Sequence, residues 1–527
     1  MTRSPARAYP FLLAIVPVLH MVAANPGQSS LDDLFVVVAT VLIGCGLVYG
    51  LVSVAARRRW GGRLPPLAVL GAVLWFWGYV QLVDLVGRRG DLTTHAVVFP
   101  IGVAVTMALG WWLLRRPPVL DRMAMFLTLF GGLLVGWSAL SIGLAEIRSA
   151  RNLRNSAVVR RLAQPVRVRP GTLAGPKRDI YLIILDEYAN AEVTQARYGF
   201  DNRAFLDSLR HLGFVVPVVH SNYVHTLLSI PSMLNASQLA DISTDVGRGA
   251  RDPTVPNYLV ENNRAVAYLR SQGYRFAFFP SLWWPATRHN PNADMEAHDR
   301  FDVMRELART ELRRDLRMAS MLDLLHRERT WQTADADYLV RTFSGLSRVP
   351  RMPGPVFAFA HVLSPHKPFT FSGDCQPLSR GVKELKNPYV EQVECLDRMV
   401  LRLVTMLIRD SDVPPVILLQ GDHGTPSPGF DSAATAEAIP PAAAHERLGA
   451  FDAYYLPDHG AAAFGDNVTV VNVLGDVLRY YAGADLRREP DDMYLSSYSR
   501  PYAFKRTTGI SPARIDSLGF RASLVPR

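Results

Sequence analysis

The sequence predicts an α-helical transmembrane region of about five helices followed by an α/β domain with a mostly parallel sheet. Three observations predict it. The first quarter holds long apolar stretches, the rest alternates short apolar runs with longer helical ones, and reactive polar residues fall where the short runs end. At 527 residues the chain exceeds one typical domain, and the apolar first quarter contrasts with a charged remainder.

Residues 9–24, 31–56, 64–87, 93–114 and 120–147 are apolar enough to be considered as spans. The first is short. With Arg3 and Arg7 ahead of it and Ala23 and Ala24 at its end, it also fits a signal peptide. Four long runs in succession argue against buried core helices. Arg3 and Arg7, then Arg57, Arg58, Arg59 and Arg63, then Arg115, Arg116 and Arg122 fall on one side, while residues 25–30 lack any basic residue. Short cytoplasmic loops hold the excess of Lys and Arg, so the N-terminus is expected inside and everything after residue 147 outside. Arg88 and Arg89, opposed by Asp91, are a mild exception.

The chain is then expected to divide into a transmembrane domain at 1–147, a basic juxtamembrane linker at 148–178, a domain carrying the chemistry at 179–490 and a C-terminal tail at 491–527. The linker repeats arginine without balancing acids, as a solvated connection or as a grip on anionic headgroups. The net charge of +10 fits membrane proximity; no basic and aromatic groove pattern accompanies it, so nucleic acid is not an expected partner. Cys45 lies in a span. Cys375 and Cys395 lie in the exported part, where they could pair or stay as two thiols, and no CxxC spacing suggests a zinc cluster.

Beyond residue 179, buried strands are expected at 180–185, 214–219, 275–279, 356–362 and 416–419. Helices are expected at 202–212, 258–272, 301–327, 334–346 and 387–409. Residues 433–444, rich in Ala and Pro, read as a surface insertion. In a parallel sheet of this kind ligands gather beyond the carboxyl ends of the strands, where Asp186, His361 and Asp422 fall.

A carboxylate at a buried strand end needs a cation, a hydrogen-bond set or solvent. Asp186 together with Asp422-His423 offers oxygen and imidazole ligands that suit zinc or manganese, with Glu187 as a competing ligand ranked below Asp186. Gly424 would let the chain turn sharply beside the ion. The nucleophile is expected within residues 221–235, and Thr226 is the choice. A hydroxyl on a divalent ion loses its proton more readily, and a helix N-terminus favours an incoming anionic group.

Four stretches carry a resemblance: Ile-Ile-Leu-Asp-Glu-Tyr ending at Tyr188, Ser-Asn-Tyr-x-x-Thr-x-x-Ser-Ile-Pro-Ser-Met ending at Met233, His361-Val-Leu-Ser-Pro-His366-Lys-Pro-Phe369, and Gly421-Asp-His-Gly424. They resemble the alkaline phosphatase superfamily, and within it the membrane-bound sulfatase-like branch that contains lipoteichoic acid synthases and lipid A phosphoethanolamine transferases. The resemblance covers most of residues 179 to about 481 and is specific for the superfamily, much less so for the substrate. It implies an alkaline-phosphatase/sulfatase-like domain in which Asp186, Thr226, Asp422 and His423 surround one divalent ion. Thr226 would form a covalent intermediate, and His366 and His361 would touch the transferred group or the leaving oxygen.

A second ion is left open, because His445, Asp452 and His459 do not assemble into a ligand set. The implied setting is a bacterial inner membrane with the catalytic domain in the periplasm. The expected activity moves a phospho-headgroup from a membrane lipid to an envelope glycan or lipid. Two alternatives stand beside it. Ser229-Ile-Pro231-Ser232-Met233 is similar to the sulfatase formylglycine motif, with Met233 in the arginine's place, so a sulfatase or phosphodiesterase is the rival; the other is an inactive membrane scaffold. Selectivity is expected in loops such as 283–299, where Trp283 and Trp284 would line a pocket or rest on the membrane.

Overall fold

The computed structural model describes residues 8–56, 62–87, 92–169, 176–281, 285–296, 311–325, 329–378, 385–464 and 469–507. Arg3, Arg7, Arg57, Arg58, Arg59, Arg88, Arg89, Asp91, Trp283 and Trp284 lie outside them. The chain forms two compact units, Met1–Ser149 with Arg300–Arg327, and Ala150–Asp299 with Glu328–Arg527.

The first unit contains α1 (Tyr9–Ala24), α2 (Leu31–Ala55), α3 (Leu64–Val86), α4 (Leu92–Leu114) and α5 (Pro117–Asn155). Four of these, α2 to α5, are long and apolar enough to cross a membrane. With 16 residues, α1 reaches only about 24 Å, short of the roughly 30 Å of a hydrocarbon core. It is instead packed against α2 and α3, with Ala14, Val18, Leu19 and Val22 buried and the Trp77 indole donating to the Ala14 carbonyl at 3.1 Å. The other helices leave apolar faces open, including Phe35, Leu47, Leu51 and Trp137, as expected where lipid rather than water is the solvent. Ser30 caps α2 by accepting from the Asp33 amide at 3.1 Å, and Arg63 forks onto Asp121 at 3.0 and 2.9 Å.

Residues from far along the chain complete this unit. Of the helix expected at 301–327, residues 311–325 are described, as two helices, Glu311–Met318 and Leu322–Leu325. Leu312 and Leu316, one turn apart, are buried in a cluster with Val18, Leu19, Val22 and Ile142. Below them the Met321 amide donates to the Phe76 carbonyl at 2.7 Å.

The second unit is built on a seven-stranded sheet in the order β2-β7-β6-β1-β5-β3-β4. The strands are β1 (Ile180–Leu185), β2 (Phe214–Val215), β3 (Arg275–Phe279), β4 (Met295–Glu296), β5 (Val356–Val362), β6 (Val416–Gly421) and β7 (Asp452–Tyr455). β1 pairs in parallel with both β5 and β6, and β7 pairs antiparallel with β6 and β2. Alternate residues of β1 enter two separate cores, Ile180, Leu182 and Ile184 on one face and Tyr181, Ile183 and Leu185 on the other. That is why the central strands read as unbroken apolar runs. A second, two-stranded sheet joins β8 (Met493–Ser497) to β9 (Arg500–Thr507).

Several expected elements differ in detail. The strand at 214–219 pairs only over Phe214–Val215, and Pro217, which has no amide proton to donate, stands beyond it. The helix at 258–272 is two helices, Thr254–Glu261 and Arg264–Ser271, because the Asn263 side chain caps the second by accepting from the Val266 amide at 2.8 Å. Residues 433–444 lie at the surface, with Ala434, Glu437, Ala438, Pro440 and Pro441 exposed, but are anchored through Ala436, Ile439, Ala443 and Ala444, which are buried with Phe430 and Leu448. Cys375 and Cys395 form a disulfide that ties the loop after β5 to the helix Pro388–Asp410.

Candidate active site

Parallel pairing aligns the strand ends. Leu185 stands opposite Val362 on one side and Gly421 on the other, so Asp186 and Asp422 leave neighbouring central strands side by side. Asp186, Asp422 and His423 each bring a ligand atom, and these atoms lie within 4.8 Å of one another, all from buried residues. One oxygen of Asp422, Oδ1, accepts the Glu187 amide at 3.2 Å. Asp422 Oδ2 and Asp186 Oδ1 have no hydrogen-bond partner among the described residues. Two orphaned carboxylate oxygens in one buried pocket are costly unless a cation takes them up, so the donor set fits a divalent ion.

The electrostatics agree. Burial works against charge on Asp186, yet His366, His361 and His423 around it hold its carboxyl below the usual range. Burial and the charge on Asp186 push Asp422 well above that range, as expected of two crowded carboxyls without a cation. His423 is kept neutral by burial and by the charge of Arg447, the form in which imidazole ligates metals.

Its tautomer follows from its neighbours. Arg447 Nη2 lies 3.2 Å from His423 Nε2, and a guanidinium has no lone pair to offer, so Nε2 is the acceptor. Nδ1–H then donates to the Gly424 carbonyl at 3.1 Å. Thr226 Oγ1 also meets Nε2, at 3.1 Å. Thr226 is the first residue of the helix Thr226–Asn235, whose leading amides have no partner within the helix. A hydroxyl, the open end of a helix dipole and the carboxylate–imidazole set therefore converge at one point.

Ser229, one turn further along, has a different place. Its Oγ is fully buried and donates to the Asp422 carbonyl at 2.5 Å, beside Ser221 Oγ at 2.6 Å on the same oxygen. These two hydroxyls brace the strand end that carries Asp422. Glu187 turns the chain after β1 with φ 61°, a left-handed conformation that a non-glycine residue rarely adopts, and its Oε1 receives Arg447 Nη1 at 2.7 Å. Glu187 is thus the counter-ion of Arg447.

His361 is fully buried behind the site, its Nε2 3.1 Å from Asp186 Oδ2 and its Nδ1 2.9 Å from Ser281 Oγ and 3.2 Å from Thr287 Oγ1. Both ring nitrogens are engaged by protein, so the expected contact with the transferred group is not what the ring makes here. His366 is partly exposed, with its amide on the Asp186 carbonyl at 3.1 Å and its Nε2 3.9 Å from Glu187 Oε1. Of the residues considered for a second ion, His445 lies in the helix Pro441–Leu448, and buried Asp452 accepts from Gln420 at 2.7 Å and Tyr454 at 2.9 Å. Among the described residues, Asp186, Asp422 and His423 form the single cluster of three such ligands.

Arg447 has no expected role in the sequence reading, yet it touches Glu187, His423 and the Val224 carbonyl in the centre of the site. One signal for it was present, Gly424. The glycine is required by proximity rather than by its φ, because a Cβ there would lie 1.9 Å from the Glu446 carbonyl oxygen. The loop after β6 and the helix bearing Arg447 meet backbone to backbone.

A family model described as Sulfatase matches residues 178–517. The chain belongs to the sulfatase family, and with it to the enzymes of the alkaline phosphatase superfamily. No curated protein matches it. Among solved structures, the C-terminal periplasmic domain of EcEptC from Escherichia coli aligns at 10% identity over 63% of this chain and 93% of that one, with a TM-score of 0.41. The C-terminal periplasmic domain of phosphoethanolamine transferase EptC from Campylobacter jejuni aligns at 12% identity over 60% and 92%, with a TM-score of 0.37. Lipooligosaccharide phosphoethanolamine transferase A (EptA) from Neisseria meningitidis aligns at 13% identity over 90% and 92%, with a TM-score of 0.36.

Proposed function

We propose that this protein is a membrane-anchored, metal-dependent phospho-group transferase that works through Thr226 on the outer face of a bacterial inner membrane. The observation that carries the reading is the Thr226 hydroxyl, 3.1 Å from His423 in a pocket of orphaned carboxylate oxygens. Asp186, Asp422 and His423 would hold one divalent ion, zinc or manganese, with Thr226 beside it. Bound there, the ion would lower the pKa of the Thr226 hydroxyl and offset charge on the transferred group.

The chain's own residues do the rest. Thr226 Oγ, its proton released to solvent as it ionises, attacks phosphorus, a bond from Oγ to phosphorus forms, and the bond to the donor's oxygen breaks. His366, partly exposed beside Glu187, supplies the proton that the departing oxygen takes up. In the second half an acceptor hydroxyl gives its proton to the now neutral His366 and attacks the same phosphorus, and the Thr226 oxygen leaves ionised. Arg447, fixed by Glu187, neutralises charge on the non-bridging oxygens. His361 orients Asp186 from behind.

Four spans ahead of the catalytic region favour a lipid donor, since an enzyme held at the bilayer surface meets its headgroups at high effective concentration. We take the acceptor to be an envelope glycan or lipid. Hydrolysis of a sulfate ester is the second reading, and the family match favours it. Against it stand Met233, where the formylglycine motif has arginine, and the Ser229 hydroxyl, which is turned to the Asp422 carbonyl.

The test is intact mass of the detergent-purified protein after incubation with inner-membrane lipids and zinc or manganese, beside Thr226→Ala. A lipid-dependent adduct that the variant lacks is the expected result, and its mass identifies the group. An adduct that persists in the variant, or none in the wild type, overturns transfer through Thr226.

A further inference from the structure

The turn between β8 and β9 brings a residue to the active site from the far end of the chain. Ser497 pairs with Arg500, so Tyr498 and Ser499 form the tip of the hairpin. The tip is tied down. Ser497 Oγ and Ser499 Oγ both donate to the Ala434 carbonyl, at 3.0 and 2.9 Å, and the His225 Nε2 proton goes to the Ser496 carbonyl at 2.9 Å. His225 immediately precedes the nucleophile, so the turn and Thr226 share one anchor.

Between these anchors the Tyr498 ring lies 4.7 Å from the His225 ring and 5.2 Å from that of Phe430, centroid to centroid. Arg447 Cζ stands 4.9 Å over Phe430, and Arg447 Nη2 reaches Tyr498 Oη at 3.3 Å. Three successive contacts of 3.1, 3.2 and 3.3 Å therefore lead from the Thr226 hydroxyl through His423 and Arg447 to the phenol. Arg447 only donates, so Tyr498 Oη accepts that bond, and its own proton has no acceptor among the described residues. Tyr498 is 52% exposed although its neighbours His225, Phe430 and Arg447 are buried. One face is fixed to the site and the other is open.

We propose that Tyr498 is a contact residue for the transferred group. Its phenol, neutral at working pH, donates to a non-bridging oxygen of the tetrahedral anion beside Arg447, and its open face forms a wall for the substituent that group carries. This rests on the reading of Thr226 as the nucleophile. A tyrosine here separates recognition of the anion from the binding of the ion, because its hydroxyl makes no contact with Asp186, Asp422 or His423.

The test uses the full chain in detergent with zinc supplied and inorganic phosphate as the ligand, followed by titration calorimetry. Tyr498→Phe keeps the ring against His225 and Phe430 and removes only the hydroxyl. Phosphate binding is expected to weaken about 10- to 100-fold, as for the loss of one hydrogen bond to a charged group, with zinc affinity and the unfolding midpoint unchanged. Tyr498→Ala should bind phosphate no better than Tyr498→Phe. Phosphate affinity within twofold of wild type in Tyr498→Phe overturns the proposal and leaves the role of Thr226 standing. A zinc-loaded wild type that binds no phosphate at all sinks the transfer reading itself, and Tyr498 with it.

Discussion

His361 Nε2 lies 3.1 Å from Asp186 Oδ2, and neither side chain has any surface exposed to solvent. In the proposed metal site the pair would be a ligand and its support, with Ser281 and Thr287 holding the far side of the ring. Removing an outer partner of this kind costs about 10- to 100-fold in metal affinity. His361→Ala should lose zinc by that factor, measured by titration calorimetry, and recover transfer when zinc is saturating. A variant that stays inactive with its metal site full would place His361 in the chemistry instead.

Arg447 and Glu187 form a buried pair at 2.7 Å, with the arginine almost wholly enclosed. Breaking such a pair from one side leaves an uncompensated charge and costs about 3–5 kcal/mol. Arg447→Met should therefore be strongly destabilised. Combining it with Glu187→Gln should return much of the stability without restoring turnover, as denaturant midpoints and activity assays on the same preparations would reveal. Equal activity in the double variant would remove Arg447 from the proposed mechanism.

Asp397 is enclosed beneath Tyr188, whose hydroxyl donates to it at 2.5 Å, and burial pushes its carboxyl up to about 8. A raised folded pKa means that the native state holds a proton the unfolded chain gives up near pH 4. Stability from this group is complete below that pH and declines as pH rises toward 8. The difference in thermal midpoint between Asp397→Asn and wild type should shift in favour of the variant across that window and level off above it. A constant difference from pH 5 to 9 would show that the group does not titrate there.

The disulfide closes a segment with a sequence separation of 20 residues between Cys375 and Cys395. On a chain-entropy account it contributes about 3 kcal/mol. The paired Cys375→Ser and Cys395→Ser variant should unfold at lower denaturant, and reductant should bring wild type to the same midpoint while leaving the variant unmoved. Because the loop it secures follows His366, turnover should fall as well.

The strands that carry Asp186 and Asp422 were legible because each is buried on both faces and writes an uninterrupted apolar run, and a parallel sheet sends such runs toward one common edge. Thr226 was legible as a hydroxyl at an expected helix start, where an incoming anionic group is favoured. Arg447 was not. It follows a tract of alanine and proline whose burial depends on Phe430 and Leu448, and no periodicity records a contact made across the fold. β7 writes no unbroken apolar run of its own, since Asp452 interrupts it and finds partners in Gln420 and Tyr454. His361 shows the same limit in another form. Its position at a strand end was legible, while the direction of its ring was set by Ser281 and Thr287, which are 80 and 74 residues away.

The placing of Leu312 and Leu316 among residues of α1 and α5 bears on how this architecture can be taken apart or exchanged. The polypeptide passes from one unit to the other three times, after Ser149, after Asp299 and after Arg327. A fragment begun at residue 150 would carry two orphaned leucines and their helix with nothing to cover them. Swapping anchors between relatives would face the same obstacle, because a graft at the obvious junction leaves part of the old anchor inside the new enzyme. Modularity here stops short of the boundary that hydropathy draws, and the membrane-facing and catalytic halves are expected to have changed together.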